Sequence, residues 1–235
     1  MDLKKTIYKL CPVIPKTNLA IGQKLYELKV NRNRTSVIKT LSKQTAIYGN
    51  IGCGDVGLAN GWVNIDFSVY PNVSYAFDCR KNLPFADNSA KGLYTEHFFE
   101  HLDYVTEAPF FLASCYRSLQ KDGVLRIVVP DAEKYLRGYC VEGWDMLKQT
   151  RPLDDNLTDG LMAITYQTKM QLINEVFRQG GEHKYAWDLE TLEVSLKKAG
   201  FTKIYKMSYQ HSNDPFMEID QAMRQYESLY VEAIK

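Results

Sequence analysis

AIYGNIGCGDVGLANGWVNID, residues 46–66, decides how the rest of the chain is read. AIYGNI is rich in β-branched and aromatic residues and predicts a strand. Gly52 and Gly54 then let the backbone turn tightly and approach a ligand closely. WVNIDF predicts a second strand, which ends on Asp66, 12 residues after Gly54. In an open parallel sheet such strand ends lie side by side at the carboxyl edge, where ligands bind. An acid placed there can accept hydrogen bonds from both hydroxyls of a ribose, so the stretch reads as a nucleoside site. Gly52, Gly54 and Gly57 nominally fit G-x-G-x-x-G. However, LANGW after Gly57 has no helical pattern, and Asp66 comes sooner than the usual spacing of about 20 residues. A dinucleotide is therefore the weaker reading.

Working outward, VSYAF, KGLYTE and VLRIVV are further strand candidates. DYVTEAPFFLASCYRSLQKDG predicts a helix closed by Gly123, and DLETLEVSLKKAG predicts one closed by Gly200. FTKIYKMSYQ and QYESLYVEAI predict the last two strands. Strands alternating with helices imply a parallel sheet with helices on both faces. Residues 142–182 carry Trp144, Met146, Met162, Met170 and Phe177 without a clear strand, and predict a helical insertion or cap. Before the sheet, residues 18–42 place Leu25, Leu28, Val37, Ile38 and Leu41 at helical spacing.

The 235 residues are 45% hydrophobic and 24% charged, which suits a globular core. No run approaches the roughly 18 apolar residues of a membrane span. The N-terminus has no apolar stretch of the kind a signal peptide needs. The five cysteines, Cys11, Cys53, Cys79, Cys115 and Cys140, are scattered and form no C-x-x-C pair. That argues against a disulfide framework and a zinc ribbon, and a reducing cytoplasm is the expected setting. The net charge of +1 hides an asymmetry. Residues 1–43 carry ten Lys/Arg against two acids, and the rest carries 19 basic against 26 acidic residues. Residues 1–44 thus read as a basic helical arm on an acidic body, 45–235. The basic residues are spread out, so a solvated face packed on the acidic body is preferred to a nucleic-acid contact.

Past VSYAF stands Asp78, whose carboxylate suits the exocyclic amine of a base. GLYTEHFFEHL places Glu96 and His97 beside the same crevice. Taken together, NIGCG, WVNID, DCRKNLPFADNS, YTEHFFEHL, CYRSLQKDGVLRIVVPD and KKAGF resemble the class I S-adenosylmethionine-dependent methyltransferases. The nearest likeness is to small bacterial enzymes associated with polysaccharide and glycan biosynthesis. It covers roughly residues 45–140 and 183–234. The resemblance implies a Rossmann-like α/β fold with a seven-stranded, mostly parallel sheet whose last strand is antiparallel. It implies S-adenosyl-L-methionine as cofactor and S-adenosyl-L-homocysteine as product. Gly52, Cys53 and Gly54 would pass under the methionine part, Asp66 would hold the ribose, and Phe67 would lie beside the adenine. Asp78 would take the adenine amine, with Cys79 supplying a backbone contact. Asn50 stands where many relatives carry an acid; an amide can still meet the methionine ammonium, without charge assistance.

Methyl transfer to a hydroxyl needs a base. His97 is the first candidate, because an unperturbed imidazole titrates near neutrality. Glu96 would orient the acceptor or contact the cofactor, and His101 lies one helical turn beyond His97. HFFEH also fits the zinc pattern H-x-x-E-H. No distant acid offers a third ligand, and zinc would leave Asp66 and Asp78 unexplained, so no metal is expected. GGEHKYAWD, residues 180–188, offers His183, Tyr185 and Trp187 as a surface on which a sugar could stack; Trp187 could equally lie in the core. The sequence therefore predicts O-methylation of a sugar or glycan intermediate. A small metabolite or RNA acceptor, or a non-catalytic partner subunit that binds the cofactor, stays open.

Overall fold

The computed structural model describes residues 16–59 and 61–235. Expectations for the first fifteen residues lie outside the described part. Seven strands form one sheet: β1 (Ile47–Ile51), β2 (Trp62–Asp66), β3 (Tyr75–Ala76), β4 (Ala90–Glu96), β5 (Leu119–Pro130), β6 (Lys203–Met207) and β7 (Ser228–Ile234). Their order is β3-β2-β1-β4-β5-β7-β6. β7 runs antiparallel to both its neighbours, and the other recorded pairings are parallel. This is the seven-stranded Rossmann-like sheet that the sequence implied. The strand order reverses between β1 and β4, so their carboxyl ends flank the crevice where such sheets bind ligands.

Three helices roof one face: α1 (Lys16–Leu41), α2 (Ala108–Ser118) and, late in the chain, Leu189–Lys198. Val37 and Leu41 of α1, Phe111 and Cys115 of α2, and Leu192 and Leu196 of the late helix join one cluster with Ile51, Ile65, Leu93, Ile127 and Val231. On the strands these are alternate residues, as a period of two requires. The opposite face is covered by loop and 3-10 segments instead of helices; Met217, Tyr209 and Ile219 pack there on Trp62, Tyr94, Val128 and Tyr230. No helix forms between β1 and β2 among the described residues.

α1 joins the domain core, but not by the stripe the sequence suggested. Leu25 and Leu28 are exposed, while Val30, Val37 and Leu41 are buried. The heptad step from Val30 to Val37 and the four-residue step to Leu41 set the buried line. α2 also ends earlier than predicted, at Ser118. Leu119 is already extended, and the turn to Gly123 is made by Asp122 at φ 61°. Strand β3 shrinks to two residues paired with Ile65 and Asp66.

After β5 come α3 (Ala132–Cys140), α4 (Asp145–Thr150) and α5 (Lys169–Arg178); the late helix Leu189–Lys198 is α6. The insertion has its own small core of Tyr135, Leu147, Tyr166, Leu172, Ile173 and Val176. Its starts are well capped: Asp131 accepts from Glu133 N and Lys134 N, and Thr168 and Gln171 form a capping box. Buried Arg151 ties it to the sheet by donating Nε to Asp159 Oδ2 (2.8 Å) and Nη1 to Glu227, just before β7. No described helix is long and apolar enough to cross a membrane.

Candidate functional site

The crevice at the β1/β4 reversal has two sides. On the first, Gly52 and Gly54 follow β1 at φ 70° and 55°. A side chain at Gly52 would overlap the Phe98 ring, whereas nothing lies within 4 Å of where one would begin at Gly54. Gly52 is thus explained by packing, and Gly54 by an open face. Gly54 N donates to Asp66 Oδ2 (2.9 Å), and Ser68 N donates to Asp66 Oδ1 (2.7 Å). The turn and the acid are one hydrogen-bonded unit. Among the described residues no helix N-terminus follows Gly57 before β2, so they form no pyrophosphate cradle of the usual kind.

Asp78 lies two residues beyond β3 and is nearly buried. Arg80 clasps it, Nε donating to Oδ1 and Nη2 to Oδ2, both at 2.8 Å. Burial pushes this carboxyl up, but the Arg80 hydrogen bonds and charge outweigh it and hold it below its ordinary value. Phe67 meets the edge of Tyr26 from α1, with ring centroids 5.2 Å apart, and Arg34 lies 4.4 Å over Phe77. α1 therefore walls this side of the crevice. Cys53 and Cys79 are buried, and burial raises both thiols, so neither is poised as a thiolate. Asn50 is turned inward: its amide group donates to Asn64 Oδ1 (3.0 Å) and Val56 O (3.4 Å). An ammonium would have to be met by its carbonyl oxygen alone.

The second side starts where β4 ends. Glu96 is buried and accepts from Gln221 N (3.1 Å) and Gln221 Nε2 (2.6 Å), and burial raises its carboxyl. His97 takes φ 51°, a left-handed conformation uncommon for non-glycine residues, and turns the chain out of β4. Its Nε2 lies 2.9 Å from Ser228 Oγ and its Nδ1 3.5 Å from Glu100 Oε1. Burial drives the imidazole well below its usual value, so it is neutral at physiological pH.

HFFEH and GEHKYAW, far apart in sequence, meet here. Lys184 N and Tyr185 N both donate to Glu100 O, at 2.9 and 3.2 Å. Tyr185 stacks on Tyr104 at 4.4 Å, and Trp187 packs on Phe99 at 4.7 Å. This docking brings the His183 ring within 4.7 Å of His101, edge to face. His97, Glu100, His101, His183, Arg151 and Arg224 line a cavity of about 90 Å³. Trp187 is fully buried, so the sugar-stacking role expected of it falls: its ring is core. Tyr185 is half-buried against Tyr104 and outside the lining of that cavity.

Sequence reasoning missed Glu100 as anything beyond a pattern match, and missed the cage around Glu227. That buried carboxylate accepts from Tyr135 Oη (2.9 Å), Arg224 Nη1 (2.7 Å) and Arg151. An apolar-lined cavity of about 930 Å³ opens between the insertion and the residues before β7, with Leu161, Pro152, Met223 and Tyr226 among its walls. None of the cavities described is lined by Gly54, Asp66 or Asp78.

No family model matches the chain, and no curated protein does. Among solved structures it is similar to a SAM-dependent methyltransferase from Archaeoglobus fulgidus. The identity is 17% over 89% of this chain and 94% of that one, with a TM-score of 0.47. A methyltransferase from Mesorhizobium loti that depends on S-adenosylmethionine gives 13%, 86%, 97% and 0.47 in the same order. The phosphoethanolamine N-methyltransferase 2 of Haemonchus contortus, solved with S-adenosyl-L-methionine, gives 13%, 87%, 52% and 0.43. Such distant likeness concerns fold alone, which the strand order establishes by itself.

Proposed function

We propose that this chain is an S-adenosylmethionine-dependent methyltransferase acting on a hydroxyl, with a sugar or glycan intermediate as acceptor. One observation carries the cofactor reading. At the strand-order reversal, Gly54 holds a left-handed, open-faced turn whose amide is bonded to the acid ending β2. The residues fit the group: Gly54 leaves room for backbone approach, Asp66 offers carboxylate oxygens to a ribose, and Phe67 and Asp78 stand beyond it toward the base. When bound, the cofactor supplies an electrophilic methyl carbon on a sulfonium.

The protein's own part is positioning and proton handling. His97, held neutral, has a lone pair to take the acceptor's hydroxyl proton as the new carbon–oxygen bond forms. The imidazolium so made is costly in a buried site. Glu227 Oε1, 4.0 Å from His97 Nε2, offsets part of that cost. The acceptor preference rests on the resemblance alone. α1 packs into the core through Val37 and Leu41, which leaves the RNA alternative with less support than its charge suggested.

The test is calorimetric titration with S-adenosylmethionine and S-adenosylhomocysteine, beside Asp66→Asn. Micromolar binding that Asp66→Asn weakens at least tenfold is expected. No binding by the wild type would remove the cofactor assignment, and with it the function.

A further inference from the structure

We infer that Glu100, His101 and His183 form a binding site for one divalent transition-metal ion on the wall of the small cavity beside His97. One ligand atom from each of the three lies within 4.8 Å of the others. His183 Nε2 and Glu100 Oε1 are 3.8 Å apart. Metal–ligand bonds of about 2.0–2.2 Å at tetrahedral angles place ligand atoms about 3.4 Å apart. The pair is nearly at that spacing, and a separation at the 4.8 Å limit needs a contraction of about 1.4 Å, within reach of side-chain rotation.

Two observations point to a ligand independently of that clustering. The first is the Glu100 carboxylate. It is 2% exposed, and neither oxygen has a hydrogen-bond partner among the described residues. A buried carboxylate without a partner is among the most expensive groups a fold can hold. The second is the tautomer of His183. Its Nδ1 lies 2.6 Å from Val176 O, a carbonyl that can only accept, so Nδ1 carries the proton. Nε2 of the neutral ring therefore turns a lone pair toward a carboxylate oxygen. Two acceptors facing one another across a buried gap need either a proton or a metal ion between them, and a metal ion can take the proton's place. A ring N–H donated to a backbone carbonyl is also how metal-binding imidazoles are commonly oriented.

The neighbouring arginines do not fill that gap. Arg224 Nη1 is paired with Glu227 Oε1 at 2.7 Å, and Arg151 is shared between Asp159 and Glu227. Two imidazole nitrogens and one carboxylate favour zinc, cobalt or manganese over magnesium or calcium, which prefer all-oxygen shells. Three protein ligands leave a coordination position for an oxygen of a small molecule entering the cavity. The H-x-x-E-H pattern is thus put to a different use. Glu100 is itself a ligand, and the third donor is an imidazole delivered by the GEHKYAW loop.

The experiment uses the full, untagged chain after chelator treatment and titrates Co²⁺, Zn²⁺ and Mg²⁺ by calorimetry, with the visible absorption of bound Co²⁺ as a second readout. One equivalent of Co²⁺ or Zn²⁺ is expected to bind, at least a hundredfold tighter than Mg²⁺. Glu100→Gln and His183→Ala should each weaken it tenfold or more, and His211→Ala, at an exposed imidazole away from the cavity, should not. Wild type that binds no stoichiometric ion overturns the proposal. So does binding that survives both Glu100→Gln and His183→Ala, which would place the ion elsewhere. The readout is independent of S-adenosylmethionine, so the site and the methyl-transfer reading can fail separately.

Discussion

Asp78 carries a guanidinium across both its oxygens, whereas Glu100, on the other side of the strand-order reversal, is just as buried and has no hydrogen bond on either. Burial acts on both in the same sense, raising the carboxyl. At Asp78 the Arg80 contact overturns it, and the acid stays ionised. At Glu100 burial wins, and the carboxyl is pushed up to about 8. A paired acid describes a site at rest, whose partner a ligand must compete with. An unpaired one describes a site waiting for a proton or a cation. The third arrangement in the molecule is fully structural. Arg126, Asp220 and Glu232 are all wholly buried, with Arg126 donating to Asp220 at 2.8 and 2.6 Å and to Glu232 at 2.9 Å.

That structural triad should give the largest effect. Arg126→Met leaves two carboxylates buried opposite each other and releases the carbonyls of His211 and Ser208, which Arg126 also binds. The expected cost is about 3–5 kcal/mol in urea unfolding. A loss below about 1 kcal/mol would mean that the 208–220 segment is held by its apolar contacts alone.

Glu100 should behave in the opposite way. Its folded value lies above the unfolded value of about 4.3, so the folded state binds more protons between the two. Stability from this group is therefore present below about pH 4.3 and is lost as pH rises toward 8. In chelator-treated protein Glu100→Gln should be more stable than wild type at pH 8 by about 2–4 kcal/mol, with the gap closing by pH 4. His183 works against it. Burial lowers that imidazole to about 4, so its share of stability is lost as pH falls from about 6.5 toward 4. Wild type more stable than Glu100→Gln at pH 8 would reveal a partner for the carboxylate and dissolve the contrast with Asp78.

These contrasts were only partly legible in the sequence. Runs of β-branched and aromatic residues and the glycine turn located β1, β2 and the end of β4, because those signals are local. The Arg126 triad had a signal too: LRIVV and YVEAI each set one charge inside an apolar strand. A charge in such a strand must meet its opposite when buried. The meeting of Glu100 with His183 had none. It depends on two backbone amides of the 184–185 segment docking on one carbonyl, and no residue type encodes that. Trp187 was ambiguous for the same reason, since an aromatic beside a helix start serves core and ligand equally. The end of α2 was misplaced because SLQKDG has good helix formers, yet Leu119 is needed opposite Ala90 in the sheet.

The smallest effect tests whether Asp78 is at rest in the sense argued. Arg80 is 37% exposed, so its pair with Asp78 should contribute only about 1 kcal/mol to stability or less. Arg80 N and Nε occupy Oδ1 and Nη2 takes one position on Oδ2, so an adenine amine must share Oδ2 with the guanidinium. Arg80→Gln removes that competition and should tighten S-adenosylhomocysteine binding a few-fold, while Asp78→Asn should weaken it. If Arg80→Gln weakens binding as much as Asp78→Asn, the two residues act as one brace on the turn after β3. Asp78 would then be a structural acid like Asp220, and the base of the nucleoside would need another acceptor.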